Sequence, residues 1–158
     1  HNIDDYSAHM LKTSRLQLHI SRSSYSPQEL RLQIESFLVK CLTDNVWLHR
    51  MQMVASEVIA NSCEHRFDDD YVDFVMTTTC FKDKVRIQIL LEDYSNLLIM
   101  QRYNNLVDAV KKHKLGKSNA RGVHGRGLHI ILNWTDRVDF SKKRSGGLKL
   151  KAIKTIVL

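Results

Sequence analysis

Proline is almost missing from this chain, with Pro27 the single example among 158 residues. Glycine is scarce as well, at six, and no repeat or proline-rich stretch occurs, so linker and low-complexity architectures are excluded. The cysteines, Cys41, Cys63 and Cys80, are odd in number, widely spaced and set beside apolar residues. Such spacing gives neither a disulfide framework nor a paired zinc motif, so reduced, buried thiols are expected. No apolar run reaches the roughly 18 residues of a membrane helix. The first twenty residues are polar and mixed, without the pattern of a secretory leader, and a cytoplasmic protein with no membrane association is expected. What is present is the composition of one soluble globular domain, 43% hydrophobic and 26% charged.

The charge balance is basic, +7 overall. Much of the excess falls in two stretches, Lys111 to Arg126 and Lys142 to Lys154, which points to an acidic partner or nucleotide phosphates. A solvated charged face accounts for the same pattern.

Residues 1–13 read as a poorly structured lead-in and 14–158 as one domain. Leu16, Leu18 and Ile20 alternate as a half-buried strand. Ser26-Pro27-Gln28-Glu29 is a capping box with proline at the first helical position. The helix it starts carries Leu30, Ile34, Phe37, Leu38 and Cys41 on one stripe. Asp44 or Asn45 caps a second helix reaching about Arg66. Strands follow at Tyr71 to Thr79 and Val85 to Leu91, around the turn Lys82-Asp83-Lys84. Residues 101–114 are weakly helical, Lys114 to Gly127 reads as a loop, and a helix runs from near Gly127 to Trp134. Val138 to Ser141 and Leu148 to Val157 close the chain as two strands. This order predicts an α+β two-layer sandwich, with a mixed, mainly antiparallel sheet covered on one face by helices.

Three segments can carry chemistry. Glu57, Asn61 and His65 are each four apart and share one stripe of the second helix. A carboxylate and an amide in a row can present a general base and an oxygen ligand for magnesium, although a solvated polar face has the same spacing. Asp93, in Glu92-Asp93-Tyr94, ends an apolar strand and can accept a hydrogen bond from a ligand's amino group or simply cap a turn. Gly125-Arg126-Gly127-Leu128 reads as a glycine turn opening into an apolar helix, where backbone N–H groups can meet an anion. An ordinary loop-to-helix junction looks alike. As a dinucleotide fingerprint it fails, since no third glycine follows at the required spacing.

Taken in order, these segments resemble the Bergerat-type (GHKL) ATPases, the superfamily of gyrase and the histidine kinases, and most of all the anti-sigma-factor serine kinases. Glu57-x-x-x-Asn61-x-x-x-His65 looks like that family's N-box. Glu92-Asp93-Tyr94-Ser95 stands where its Asp-x-Gly-x-Gly box belongs, and Gly125-x-Gly127-Leu128 resembles its glycine box. The likeness covers the chain from about Arg15. It implies ATP and Mg2+ as cofactors, with Asn61 on the metal and Glu57 as general base. It further implies Asp93 on the adenine amino group and His65 in the cofactor site. Gly125, Arg126, Gly127 and Leu128 would cradle the phosphates, and residues 101–124 would form the lid over ATP, with Lys114, Lys117 and Arg121 as phosphate contacts. The sequence departs from the family at Ser95 and Leu97, which replace glycines, and at Arg66. A leucine at 97 is expected to fill part of the adenine pocket.

The function the resemblance implies is a protein-serine kinase in signal transduction and transcription regulation. It would bind a sigma factor and phosphorylate an anti-anti-sigma protein, as a homodimer or heterocomplex. Two alternatives share the fold: a degenerate switch module that holds a partner with little turnover, and the catalytic domain of a sensor histidine kinase. Nucleic-acid binding is disfavoured, because the basic stretches lack interleaved aromatics or a recognition helix.

Overall fold

The computed structural model describes residues 10–64, 71–116 and 123–158, with side chains from residue 127 onward in the last segment. Local chemistry starts the helices. Ser26 Oγ accepts from Glu29 N at 3.4 Å, and Pro27 opens α1 (Pro27–Leu38). Asp44 Oδ1 accepts from Val46 N at 2.9 Å and Trp47 N at 3.3 Å, opening α2 (Asn45–Cys63). Each cap satisfies N–H groups that have no partner within the helix. Two further helices, α3 (Ile99–Lys114) and α4 (Val123–Asn133), follow later in the chain.

The strands are β1 (Met10–Ser21), β2 (Tyr71–Phe81), β3 (Lys84–Glu92), β4 (Arg137–Lys142) and β5 (Leu148–Val157). They form one sheet in the order β1-β2-β3-β5-β4, and every pairing is antiparallel rather than mixed. β1 begins at Met10, earlier than the alternation at Leu16 to Ile20 indicates, because its polar first residues are carried by pairing with β2 as far as Phe81.

Alternation along the strands divides the sheet into two faces. Val72, Phe74 and Met76 of β2 and Val85, Ile87, Ile89 and Leu91 of β3 are buried, while Asp73, Thr77, Arg86 and Gln88 lie on the other face. Over the apolar face lie Met51, Val54, Ala55, Val58 and Ile59 of α2, with Ile34 and Leu38 of α1 and Leu128 and Ile131 of α4. Each large side chain buried there contributes about 1.5–3 kcal/mol. A surface ion pair such as Arg137–Asp139 contributes at most about 1 kcal/mol, so the apolar layer decides the fold. The three cysteines are free thiols; Cys63 is buried and the other two are half-buried. No helix among the described residues is long and apolar enough to cross a membrane.

Two elements differ from the sequence reading. α4 begins at Val123, so Gly125 and Gly127 lie inside a helix instead of forming a turn ahead of one. Its apolar residues Leu128, Ile130, Ile131 and Leu132 pack against the core, and that burial overrides the low helix propensity of glycine. α3 is a full 16-residue helix with no buried residue, ending in Lys111, Lys112, His113 and Lys114, where positive charge suits the helix dipole. The part of the expected lid at 117–122, with Lys117 and Arg121, lies outside the described residues.

The β4–β5 hairpin closes against the end of β3. Gly147 adopts φ +87°, and a Cβ there would stand 2.1 Å from the Asp93 carbonyl oxygen and 2.6 Å from its carbon. Backbone atoms cannot yield as a flexible side chain does. Gly147→Ala is therefore expected to destabilise the fold by about 3 kcal/mol or more, read as a lower urea midpoint at unchanged slope.

Candidate functional site

Glu57 and Asn61 sit half-buried on the last two turns of α2, and the buried Gly127 of α4 lies directly over them. A Cβ at Gly127 would stand 2.6 Å from Glu57 Oε2 and 3.3 Å from Asn61 Oδ1. Glycine is what allows this approach. The consequence is a juncture in which one carboxylate and one amide oxygen meet the first turns of a helix, whose N–H groups carry partial positive charge. Leu128 is buried beside them and holds α4 to the core. Gly125 lies in the same first turns, but the Arg126 side chain lies outside the described residues, as does His65. Tyr25 lies close by. Burial, then the negative charge of Glu64, Cys63 and Glu57, pushes its hydroxyl up to about 12, so it stays neutral at physiological pH.

The other candidate centre is Asp93, 4% exposed just past the end of β3. Its Oδ1 accepts from Leu148 N at 3.0 Å and from Ser95 N at 3.3 Å. Its backbone N–H donates to the Leu148 carbonyl at 3.0 Å. Its Oδ2 accepts from Arg102 Nη1 at 3.1 Å. The same guanidinium donates from Nη2 to the Ser95 carbonyl and from Nε to the Leu97 carbonyl at 2.9 Å. The pair is sheltered, with side chains 15% and 5% exposed. Sequence reasoning missed Arg102, because it lies nine residues beyond Asp93 across a turn that no periodicity bridges.

Serine and leucine stand at the positions of the two family glycines beside this centre. Ser95 is fully buried, and its Oγ accepts from Leu97 N at 3.1 Å, closing the turn that a glycine would otherwise make. Leu97 is 44% exposed. The strain moves one residue on, to Leu98, which takes the left-handed conformation at φ 52° just before α3.

α3 joins the two centres. Its first turn holds Asp93 through Arg102, and Tyr103 meets Phe140 of β4 edge-on with centroids 5.6 Å apart. At its far end His113 Nδ1 lies 3.3 Å from His129 Nδ1 of α4. Asn133 Nδ2 lies 2.9 Å from His129 Nε2 and can only donate. That assigns the His129 proton to Nδ1 and makes His113 Nδ1 the acceptor. Burial, then the neighbouring His129, holds the His113 pKa below the usual histidine value.

On the open face of the sheet Asp73 accepts from His19 Nδ1 at 2.6 Å and from the Tyr94 hydroxyl. Burial alone would raise its pKa, but these two hydrogen bonds outweigh it and the net shift is downward. The bond to Asp73 is also the main reason the Tyr94 hydroxyl is pushed up.

This arrangement joins a helix-covered antiparallel sheet to a Glu-x-x-x-Asn stripe on α2, a glycine-bearing helix above it and a buried aspartate at a strand end. It defines a class of nucleotide-binding α/β domain. The family model described as the histidine kinase-like ATPase domain matches residues 24–154. The chain belongs to that ATP-binding family. A search of curated proteins found no match.

The contact at Gly127 predicts a coupling. Gly127→Ala alone forces the Glu57 carboxylate aside, while Gly127→Ala combined with Glu57→Ala recovers stability. An interaction of about 1 kcal/mol is expected from the double-mutant cycle in urea. The histidine pair predicts a pH effect. A lowered pKa means the folded state resists protonation, so this contact is at full strength above 6.5 and is lost as pH falls through the folded value. Amides at the end of α3 are expected to exchange faster at pH 5.5 than at 7.5, after correction for intrinsic rates. His113→Gln should flatten that dependence.

Proposed function

We propose that this chain is an ATP- and Mg2+-binding serine kinase of the anti-sigma type. It binds a regulatory protein, a sigma factor or an anti-anti-sigma protein, and phosphorylates the latter on serine. The observation that carries this reading is the juncture of Gly127 with Glu57 and Asn61. The donor set suits the group: a neutral amide oxygen and a carboxylate are hard ligands, and magnesium needs few of them because it keeps water and phosphate oxygens. Asn61 Oδ1 holds the metal, and the phosphates lie toward the N-terminal turn of α4. There the N–H groups up to Gly125 and the positive end of the helix dipole meet them, and Gly127 and Leu128 hold the helix against α2. Asp93 receives the adenine amino group. When bound, Mg-ATP supplies the phosphoryl group to be transferred. Glu57 accepts the proton of the incoming serine hydroxyl, and the chain otherwise contributes position and neutralising charge. A cytoplasmic location belongs to the same reading.

A second reading is favoured by one observation. Arg102 already holds Asp93, as expected of a switch module that keeps a partner and turns over little.

Calorimetric titration with Mg-ATP tests the site. Wild-type protein should bind, Asp93→Asn should bind at least tenfold more weakly, and Asn61→Ala should lose the magnesium dependence. No binding by folded wild-type protein at millimolar ATP overturns the kinase reading.

A further inference from the structure

Of the two carboxylate oxygens of Asp93, one is saturated. Oδ1 takes two backbone N–H groups, from Leu148 and Ser95. An amino group arriving at Asp93 must therefore use Oδ2, and Oδ2 holds Arg102 Nη1. This guanidinium is fixed at three points, on Asp93, the Ser95 carbonyl and the Leu97 carbonyl, and it is 15% exposed. It fills one of the two acceptor positions of Oδ2 and neutralises the charge that would attract an amino donor. It also tethers the first turn of α3, a helix with no fully buried residue, which is held further along by Leu106 and Ala109 packed against the core, the Tyr103–Phe140 pair, Lys142 against Met100 and Tyr103, and the histidine pair.

We propose that Arg102 is an internal competitor for the base amino group at Asp93, so that docked α3 and bound nucleotide disfavour one another at this carboxylate. This rests on the reading of Asp93 as the base-binding residue. Arg102 then sets nucleotide affinity. The binding-competent fraction of the chain is the fraction with the guanidinium withdrawn, and the observed dissociation constant is the intrinsic one divided by that fraction. Occupancy of the base site is in turn reported as release of the first turn of α3, since a ligand shifts the equilibrium only by what it gains from one state over the other.

The test compares wild type with Arg102→Met, which keeps the volume of the stem, and Arg102→Lys, which keeps the charge but cannot make three contacts. Mg-ATP binding is measured by calorimetry and amide exchange across 99–114 is followed without nucleotide. Arg102→Met should bind Mg-ATP about tenfold or more tightly than wild type, with Arg102→Lys between them. Without nucleotide, Arg102→Met should speed exchange in the first half of α3, and in wild type Mg-ATP should do the same. Equal affinity in all three proteins overturns the competition while leaving the site reading intact. Weaker binding by Arg102→Met overturns it too and makes Arg102 a positioning residue for Asp93. No binding by any folded variant at millimolar Mg-ATP, with α3 still loosened by Arg102→Met, overturns the nucleotide reading itself and leaves a latch without that ligand.

Discussion

A buried carboxylate has to be compensated, and Asp93 is the place where this fold meets that demand. A carboxyl group at 4% exposure is costly unless its polar atoms are hydrogen-bonded. The filling is what brings separate pieces of chain together. Leu148 supplies a backbone donor and acceptor and so ties the start of β5 to the end of β3. Gly147 makes that approach sterically possible. Ser95 folds the following turn back, and Arg102 draws in the first turn of α3. Replace the carboxylate by an apolar group and the hairpin, the turn and the helix lose their common partner at once.

How far this was legible in the sequence follows from the range of the interactions. Caps act over three residues, so Ser26 announced α1, and of the two candidates for α2, Asp44 and Asn45, Asp44 is the cap. Strand alternation is equally local, and the two hairpins stood out from their turn residues. The sheet order, by contrast, places β5 between β3 and β4, which no local signal states. At the site, Glu57 and Asn61 could be paired through helical periodicity, yet their meeting with Gly127 depends on how α4 packs against α2. The glycine box was read as a turn because glycine disfavours helix; the apolar run from Leu128 to Leu132 outweighed it once there was a core to bury against.

The basic charge sorts itself in a similar way. The stretch from Lys142 to Lys154 looked like half of an anion-binding surface, but much of it is committed internally. Lys142 lies 5.0 Å from the centre of the Tyr103 ring, and Lys143 lies 3.8 Å from that of Tyr94 and 3.3 Å from Glu92. Lys154 pairs with Asp136 at 3.0 Å and covers Trp47. These cations fasten α3, the turn after β3 and the start of α2 to the sheet. Their stems also cover apolar surface that helices leave exposed. Charge runs in the sequence thus report two different uses, and only neighbours in space tell them apart.

The remaining constraint is that the two halves of the site are held by elements of unequal firmness. Glu57 and Asn61 stand on α2, whose apolar face is fully buried against β2 and β3. Asp93 stands at a strand end fixed by backbone hydrogen bonds. α3, which spans between them, has no fully buried residue and is attached by Leu106 and Ala109 at the margin of the core, a sheltered ion pair, an aromatic contact, a lysine and a histidine pair. A helix with such shallow anchoring belongs to the low end of local stability, where segments open without the rest unfolding. Rigid placement of the acid, amide and aspartate suits groups that must hold atoms still. Apolar burial along the sequence is thus dense in α2 and shallow in α3, and local stability divides the same way.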